Sequence, residues 1–240
     1  MSTFALTDAV IWAGGYDLSG DSNSVTINSE VEDLEVTTFG SSFRSRIGGL
    51  KSVSMDVSGF WQAGTGTVDP ELFSALGARN RVVTVAPEDA EGATAYMFRA
   101  GIFSYEMFGA VGEATPFSIS AQGTDGQGLI RGKIAKGKAT VSSTGPTGTP
   151  VNLGAVGAGQ FLYATFHVFS AGTTITVDVE SDVDGSFGSP TTVATLGPVT
   201  SAGGIWAARV PGPITDTHFR FNVGAVTGSF VIAGAIGIGS

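Results

Sequence analysis

The chain has 240 residues, of which only 14% are charged and 36 are glycine. Average proteins carry about 25% charged residues and about 7% glycine, so this chain is poor in charge and rich in glycine. Its hydrophobic content of 42% excludes a disordered chain, and glycines without a three-residue period exclude collagen. A soluble surface with so few charges is expected to be covered by other chains.

The net charge is −9, and the chain contains no cysteine. Disulfides, thiolate nucleophiles and cysteine zinc sites are therefore excluded. An acidic chain is also not an ordinary DNA-binding protein, which needs a basic face. Residues 1–10 have no basic segment, and Asp8 interrupts their apolar run, so we expect no signal peptide. The most apolar stretch, residues 230–238, is shorter than the ~20 residues that span a membrane, and we expect no membrane partner.

The first half of the chain predicts strands and one helix. In residues 51–61 the odd positions Val53, Met55 and Val57 are apolar and the even positions from 52 to 58 are polar, which is typical of a half-buried strand. Asp69 is a suitable N-cap, and Gly77 a suitable exit, for a helix over residues 69–77. The other predicted strands cover residues 24–28, 81–86, 96–108 and 116–122.

The second half predicts an all-β sandwich. Its strands are expected over residues 161–169, 173–182, 191–196, 204–210, 217–223 and 228–238. Alternation in the second of these places Asp178, Glu180 and Asp182 on a solvated face. Residues 142–150 are rich in Ser, Thr, Gly and Pro and predict a linker. We therefore expect a β domain over residues 1–141 and a β-sandwich domain over residues 151–240.

Several motifs were weighed for chemistry. Residues 132–138 (GKIAKGK) match the spacing of a phosphate loop, but Ala139 stands where Ser or Thr would hold magnesium, so a basic strand end is favoured. His167 and His218 are the two histidines of the chain. Their sequence neighbours favour a packed role for His167 and a surface role for His218 rather than a hydrolase triad. The acidic residues 178–185 favour a solvated face, with a weak calcium site as the alternative. No cofactor, metal or enzyme activity is expected.

An ordered series of short motifs carries a resemblance to a known family. Residues 34–61 read LEVTTFGSSFRSRIGGLKSVSMDVSGFW, with an acidic strand, a T-x-x-G step and a Gly-Leu-Lys step into an alternating strand. The short helix, the V-V-T-V-A-P strand of residues 82–87 and the later strands follow in the same order. Over about residues 4–135 the chain resembles the major tail tube proteins of long-tailed bacteriophages. Its second half resembles the Ig-like or jelly-roll sandwiches appended to phage proteins.

The resemblance implies a β-sandwich or barrel whose subunits form rings, usually six-fold, that stack into a hollow tube for DNA. It implies a virion protein assembled in the host cytoplasm, with tape-measure, tail terminator and distal tail proteins as partners. An acidic balance suits a conduit that must not retain a polyanion. The C-terminal domain is expected on the outside of the tube. The alternatives are a capsid decoration or tail terminator protein, or a carbohydrate-binding module using exposed aromatics such as Trp206.

The Gly- and Ser-rich residues 39–50 predict a loop that becomes ordered against a neighbouring ring, with a surface hairpin as the alternative. The expected ring-stacking and interface residues are Phe39, Gly40, Arg44, Arg46, Gly49, Leu50 and Lys51.

Overall fold

The computed structural model describes residues 6–124 and 126–240, and it confirms the all-β fold class. One short helix, α1 (Val68–Ala75), interrupts the strands. The strands are β1 (Val10–Ala13), β2 (Tyr16–Asp17), β3 (Ser22–Glu35), β4 (Arg46–Phe60), β5 (Arg81–Ala86), β6 (Thr94–Met107), β7 (Pro116–Gly123), β8 (Ile130–Val141), β9 (Gly145–Asn152), β10 (Phe161–Ser170), β11 (Thr174–Asp182), β12 (Thr191–Val199), β13 (Gly203–Pro211), β14 (His218–Thr227) and β15 (Phe230–Gly239).

The chain folds into two units that are not consecutive in sequence. The first unit comprises Met1–Gly20, Arg81–Phe98 and Ile130–Ser240, and the second comprises Asp21–Asn80 and Arg99–Leu129. This division differs from the expected boundary near residues 142–150, because β15 at the end of the chain pairs with β8. Residues 151–240 therefore share one core with earlier segments rather than forming a unit of their own.

The first unit packs two sheets around an apolar core. One sheet has the order β13-β10-β15-β8-β6-β5-β1-β2, and the other has the order β12-β11-β14-β9. Alternate residues of the second half face inward, as the period of two predicts. Phe166 and Phe230 from the first sheet meet Ile175, Phe219 and Phe221 from the second in one buried cluster.

The predicted linker is largely a strand. Residues 145–152 form β9, which pairs with β14 at the edge of its sheet. An edge position tolerates the missing amide hydrogens of Pro146 and Pro150, which is why a proline-containing segment can still belong to a sheet. Gly148 has a φ of +77°, and a Cβ there would lie 2.0 Å from the Ala135 carbonyl oxygen. A close approach between backbones explains this glycine.

The acidic face predicted on β11 is wrong for two of its three carboxylates. Asp178 remains at the surface, whereas Glu180 and Asp182 are each only 7% exposed. Arg220 on the neighbouring β14 donates to Glu180 over 2.8 Å. The backbone amides of Asp184 and Ser189 donate to the Asp182 carboxylate. Arg220 comes from another strand, and the two amides come from the turn that follows β11, so alternation within β11 could not reveal these partners.

The second unit is a sheet of β3, β4, β7 and the second half of β6, together with α1. Val53, Met55 and Val57 are buried, which confirms the predicted alternation of β4. The helix begins one residue earlier than expected, with Thr67 at the N-cap. Asp69 is not the cap, because its carboxylate accepts hydrogen bonds from Trp61 and Tyr105 instead.

Candidate assembly surface

A two-stranded ribbon, which we call the arm, extends from the sheet of the second unit. It consists of residues 28–52, and every residue in it is exposed except Gly49, which is partly buried. Strand β7 pairs with β4 only from Ser54 onward, so β3 and β4 pair only with each other along the arm. A two-stranded ribbon without a covering layer is marginally stable in water. The arm therefore has the properties of a segment that another surface covers.

The two faces of the arm differ in chemistry. Leu34 lies opposite Ile47, and Val36 follows on the same face, so this face is apolar although all three side chains are exposed. On the other face Arg46 forms an ion pair with Asp33, and Arg44 approaches Glu35 at 3.8 Å. Exposed ion pairs of this kind contribute only ~0–1 kcal/mol. The apolar face is thus the one that gains most from a partner.

The tip of the arm holds two aromatic side chains away from the sheet. The amide of Ser41 donates to the Thr38 carbonyl over 3.2 Å, which closes a turn with Gly40 at φ +95°. Such a turn requires a positive φ at its third residue, which glycine adopts without strain. Phe39 within the turn is completely exposed, and Phe43 beyond it is 86% exposed.

All seven expected interface residues lie on the arm, although residues 39–50 are not entirely a loop. Strand β3 ends at Glu35 and β4 begins at Arg46. Phe39, Gly40 and Arg44 therefore lie in the tip, and the other four expected residues lie in β4. Gly49 lies against Leu34, whose Cδ1 would be 3.0 Å from an added Cβ. Leu50 is 82% exposed, and Lys51 pairs with Val31. The sequence did not identify Leu34, Val36 or Ile47, which form the apolar face.

A second exposed feature, which we call the aromatic end, lies where β4 finishes. It consists of Phe60, Trp61 and Phe108, gathered around Pro116: Phe60 pairs with Pro116, and the Phe108 amide donates to its carbonyl. Phe60 and Phe108 are 50% and 63% exposed, and the Trp61 and Phe108 rings lie 5.3 Å apart. The polar alternation of residues 52–58 breaks at Phe60, which is the one sequence signal for this cluster.

Between these two features the same sheet presents a polar face. Hydroxyl and carboxylate side chains line an open cavity of about 320 Å³ there, and no Lys or Arg is among them. The polar lining comprises Ser24, Thr26, Asp56, Ser58, Ser104, Glu106, Ser118 and Ser120. A face without cations lacks the positive charge that attracts and holds the phosphates of DNA.

The candidates for chemistry belong to the first unit. His167 is buried, its Nδ1 donates to the Gly14 carbonyl, and its Nε2 accepts from Thr84, each over 2.8 Å. Burial lowers the pKa of His167 to about 4, so the ring is neutral. His218 is partly buried beside the Thr217 hydroxyl. The phosphate-loop spacing of residues 132–138 falls within β8, an antiparallel strand.

Within residues 6–124 and 126–240, no group of three or more His, Asp or Glu side chains is placed to hold a metal ion. Those residues also include no helix that is long and apolar enough to cross a membrane.

Comparison with known proteins gives likenesses of structure alone. No family model matches the chain, and no curated protein matches it in sequence. It is similar to a chain from the virion of a native gene transfer agent particle, with 16% identity, a TM-score of 0.43 and coverage of 51% of this chain and 93% of that one.

Two further solved structures are similar to it. One is the tail of an empty gene transfer agent particle with C6 symmetry, at 17% identity and a TM-score of 0.38, covering 45% of this chain and 80% of that one. The other is the Dit protein of phage SPP1, a hub of the adsorption apparatus, at 13% identity and a TM-score of 0.39, covering 96% and 99%. All TM-scores lie below 0.5, and these likenesses carry no functional conclusion.

Proposed function

We propose that this protein is a non-enzymatic structural subunit of a phage tail, and that copies of it assemble through the arm into stacked rings, six-fold in symmetry, that enclose a passage for DNA. The observation that carries the proposal is the arm, which presents an apolar face and two exposed phenylalanines on a ribbon that pairs with no other strand among the residues the structure describes. The ordered sequence resemblance to tail tube proteins supports the same function.

The energetics of the arm favour assembly. Fully burying a Leu, Ile or Phe side chain contributes roughly 1.5–3 kcal/mol, and the arm exposes Leu34, Ile47, Phe39 and Phe43. Ordering a flexible segment costs ~1–2 kcal/mol per residue, but the β3–β4 ladder already fixes most of the arm. A segment that is ordered and apolar before binding loses little entropy when a partner covers it.

The polar face supports the passage of DNA. A tube wall with Lys or Arg would bind phosphates and slow a moving duplex. The carboxylates of Asp56 and Glu106 instead repel phosphates, and the serine hydroxyls of the same face carry no charge. We propose that this face lines the passage.

Sedimentation velocity of the full-length chain tests the function. We expect wild type to form species much larger than a monomer, and the double variant Leu34→Asp, Ile47→Asp to remain monomeric with an unchanged circular dichroism spectrum. Val183→Asp is the matched control, because Val183 is 67% exposed, apolar and outside the arm. It should assemble like wild type. A double variant that assembles as well as wild type would overturn the proposal.

A further inference from the structure

The sheet of the second unit has two different ends. The arm leaves at one end, next to Ser54, and its ladder continues to the Glu35–Arg46 pair, whereas the aromatic end lies at the other end, where Phe60 pairs with Pro116. Strand β4 runs from one to the other over 15 residues, which is roughly 46 Å at about 3.3 Å per step. The arm of a chain therefore points away from its own aromatic end, and only another copy can bring the two together.

The aromatic end is exposed but rigidly held, as expected for a binding surface. The Trp61 indole donates to Asp69 over 3.0 Å, and Tyr105 donates to the same carboxylate over 2.8 Å. The Phe108 ring packs on Trp61 while its backbone keeps a φ of +73°, an uncommon conformation for a bulky residue. Anchored aromatic rings with open faces are typical of the residues that dominate binding energy at interfaces.

The tip and the aromatic end carry charged residues of opposite sign, although the arginines of the tip also have partners within the arm. Residues 36–46 at the tip contain Arg44 and Arg46 and no acidic residue, but Arg46 pairs with Asp33 and Arg44 approaches Glu35 on β3. Residues 60–76 and 108–116 at the aromatic end contain Asp69, Glu71 and Glu113 and no basic residue. Complementary charges set the orientation and partner of an encounter more than its affinity.

We propose that the arm of one copy docks on the aromatic end of a second copy, with Phe39 and the apolar face of the arm against Phe60 and Phe108. The contact joins different surfaces of the two chains, so it leaves an unused arm and an unused aromatic end and can repeat without limit. The inference rests on the proposed function and names the surface that the arm binds.

Pairwise chemical cross-linking tests the docking directly, because the chain has no cysteine. Full-length Phe39→Cys and Val111→Cys chains are mixed, treated with a short bismaleimide and separated on a denaturing gel. Both positions are completely exposed, so neither substitution disturbs the core, and Val111 lies in the loop that follows Phe108. The control mixture pairs Phe39→Cys with Val183→Cys, which is exposed elsewhere.

We expect a heterodimer band from Phe39→Cys with Val111→Cys, its absence from the control mixture, and its loss when Phe60→Asp and Phe108→Asp are added to the Val111→Cys chain. Cross-linking only between Phe39→Cys chains would instead indicate an arm-to-arm contact and overturn the inference. Absence of any band from chains that still sediment as large assemblies would also overturn it, while leaving the proposed function in place. Absence of large assemblies from wild type would overturn the proposed function itself.

Discussion

Trp61 and Asp69 are joined by a hydrogen bond of 3.0 Å from the indole N–H to the carboxylate, and Tyr105 shares that acceptor. Burial raises the pKa of Tyr105 above its ordinary value, and the Asp69 carboxylate raises it further. The residue that follows β4, a residue of α1 and a residue of β6 are thereby tied together close to Phe60 and Phe108 in the chain.

Replacing Asp69 with Ala removes the acceptor for both donors. We expect the free energy of unfolding to fall by ~1–3 kcal/mol, because two partly buried donors lose their partner. Urea unfolding followed by tryptophan fluorescence measures the change. Asp56→Ala on the exposed polar face is the control and should change stability by less than about 0.5 kcal/mol. Equal stability of the two variants would contradict the anchoring role of Asp69.

His167 should make stability depend on pH. Burial lowers its pKa in the folded state to about 4, while the unfolded value is about 6.5, so the unfolded chain binds more protons between these limits. The free energy of unfolding is therefore unaffected by His167 above about pH 6.5. It falls as the pH decreases towards 4, by on the order of 3 kcal/mol. Nearby Asp17 opposes the shift and Arg81 adds to it.

Chemical unfolding of wild type at a series of pH values measures the loss, and His167→Gln should remove the part that falls in this window. His218→Gln should keep it, since that ring is only partly buried. An identical pH profile for wild type and His167→Gln would show that His167 is not the group responsible.

The arginines of the arm can be tested for partners outside the chain. Replacing Arg44 and Arg46 with Glu should leave the melting temperature unchanged, because exposed pairs contribute ~0–1 kcal/mol, yet reduce assembly measured by sedimentation. Adding Asp33→Arg and Glu35→Arg restores the pairs within the arm with reversed sign. If the arginines act on the acidic residues of another copy, this fourfold variant still assembles poorly at low salt. Full recovery would assign the arginines to the arm alone.

We expect that the first unit does not fold in a chain truncated after residue 145. It lacks β15, the partner of β8, and it lacks Tyr163, Ala233 and Ala235, which pack around Trp12 and Met97. We expect near-ultraviolet circular dichroism to show no fixed environment for Trp12, and unfolding to lose cooperativity. A sharp unfolding transition with a buried Trp12 would instead restore a boundary near residue 142.

Local patterns predicted what depends on neighbours in sequence. Alternation identified the buried side of β4, and residues 81–86 coincide with β5. The partner of Glu180, and the place of β9 in a sheet, depend on residues far along the chain, and no local pattern contains them. Burial of His167 agrees with the packed role expected for it.

The arm was visible in sequence only in part. Glycine, serine and two arginines drew attention to residues 39–50, whereas nothing in the sequence singled out Leu34 or Ile47. Their exposure appears only because β7 stops pairing at Ser54, which leaves the rest of the ribbon uncovered. The ring-stacking role of the arm stays a prediction.

Electron microscopy of the purified, full-length protein in negative stain tests the central claim most directly, which is that copies assemble through the arm into stacked rings. The account predicts hollow tubes of stacked rings for wild type, and single subunits for the Leu34→Asp, Ile47→Asp variant. A field of uniform single particles of monomer size for wild type at high concentration would contradict it.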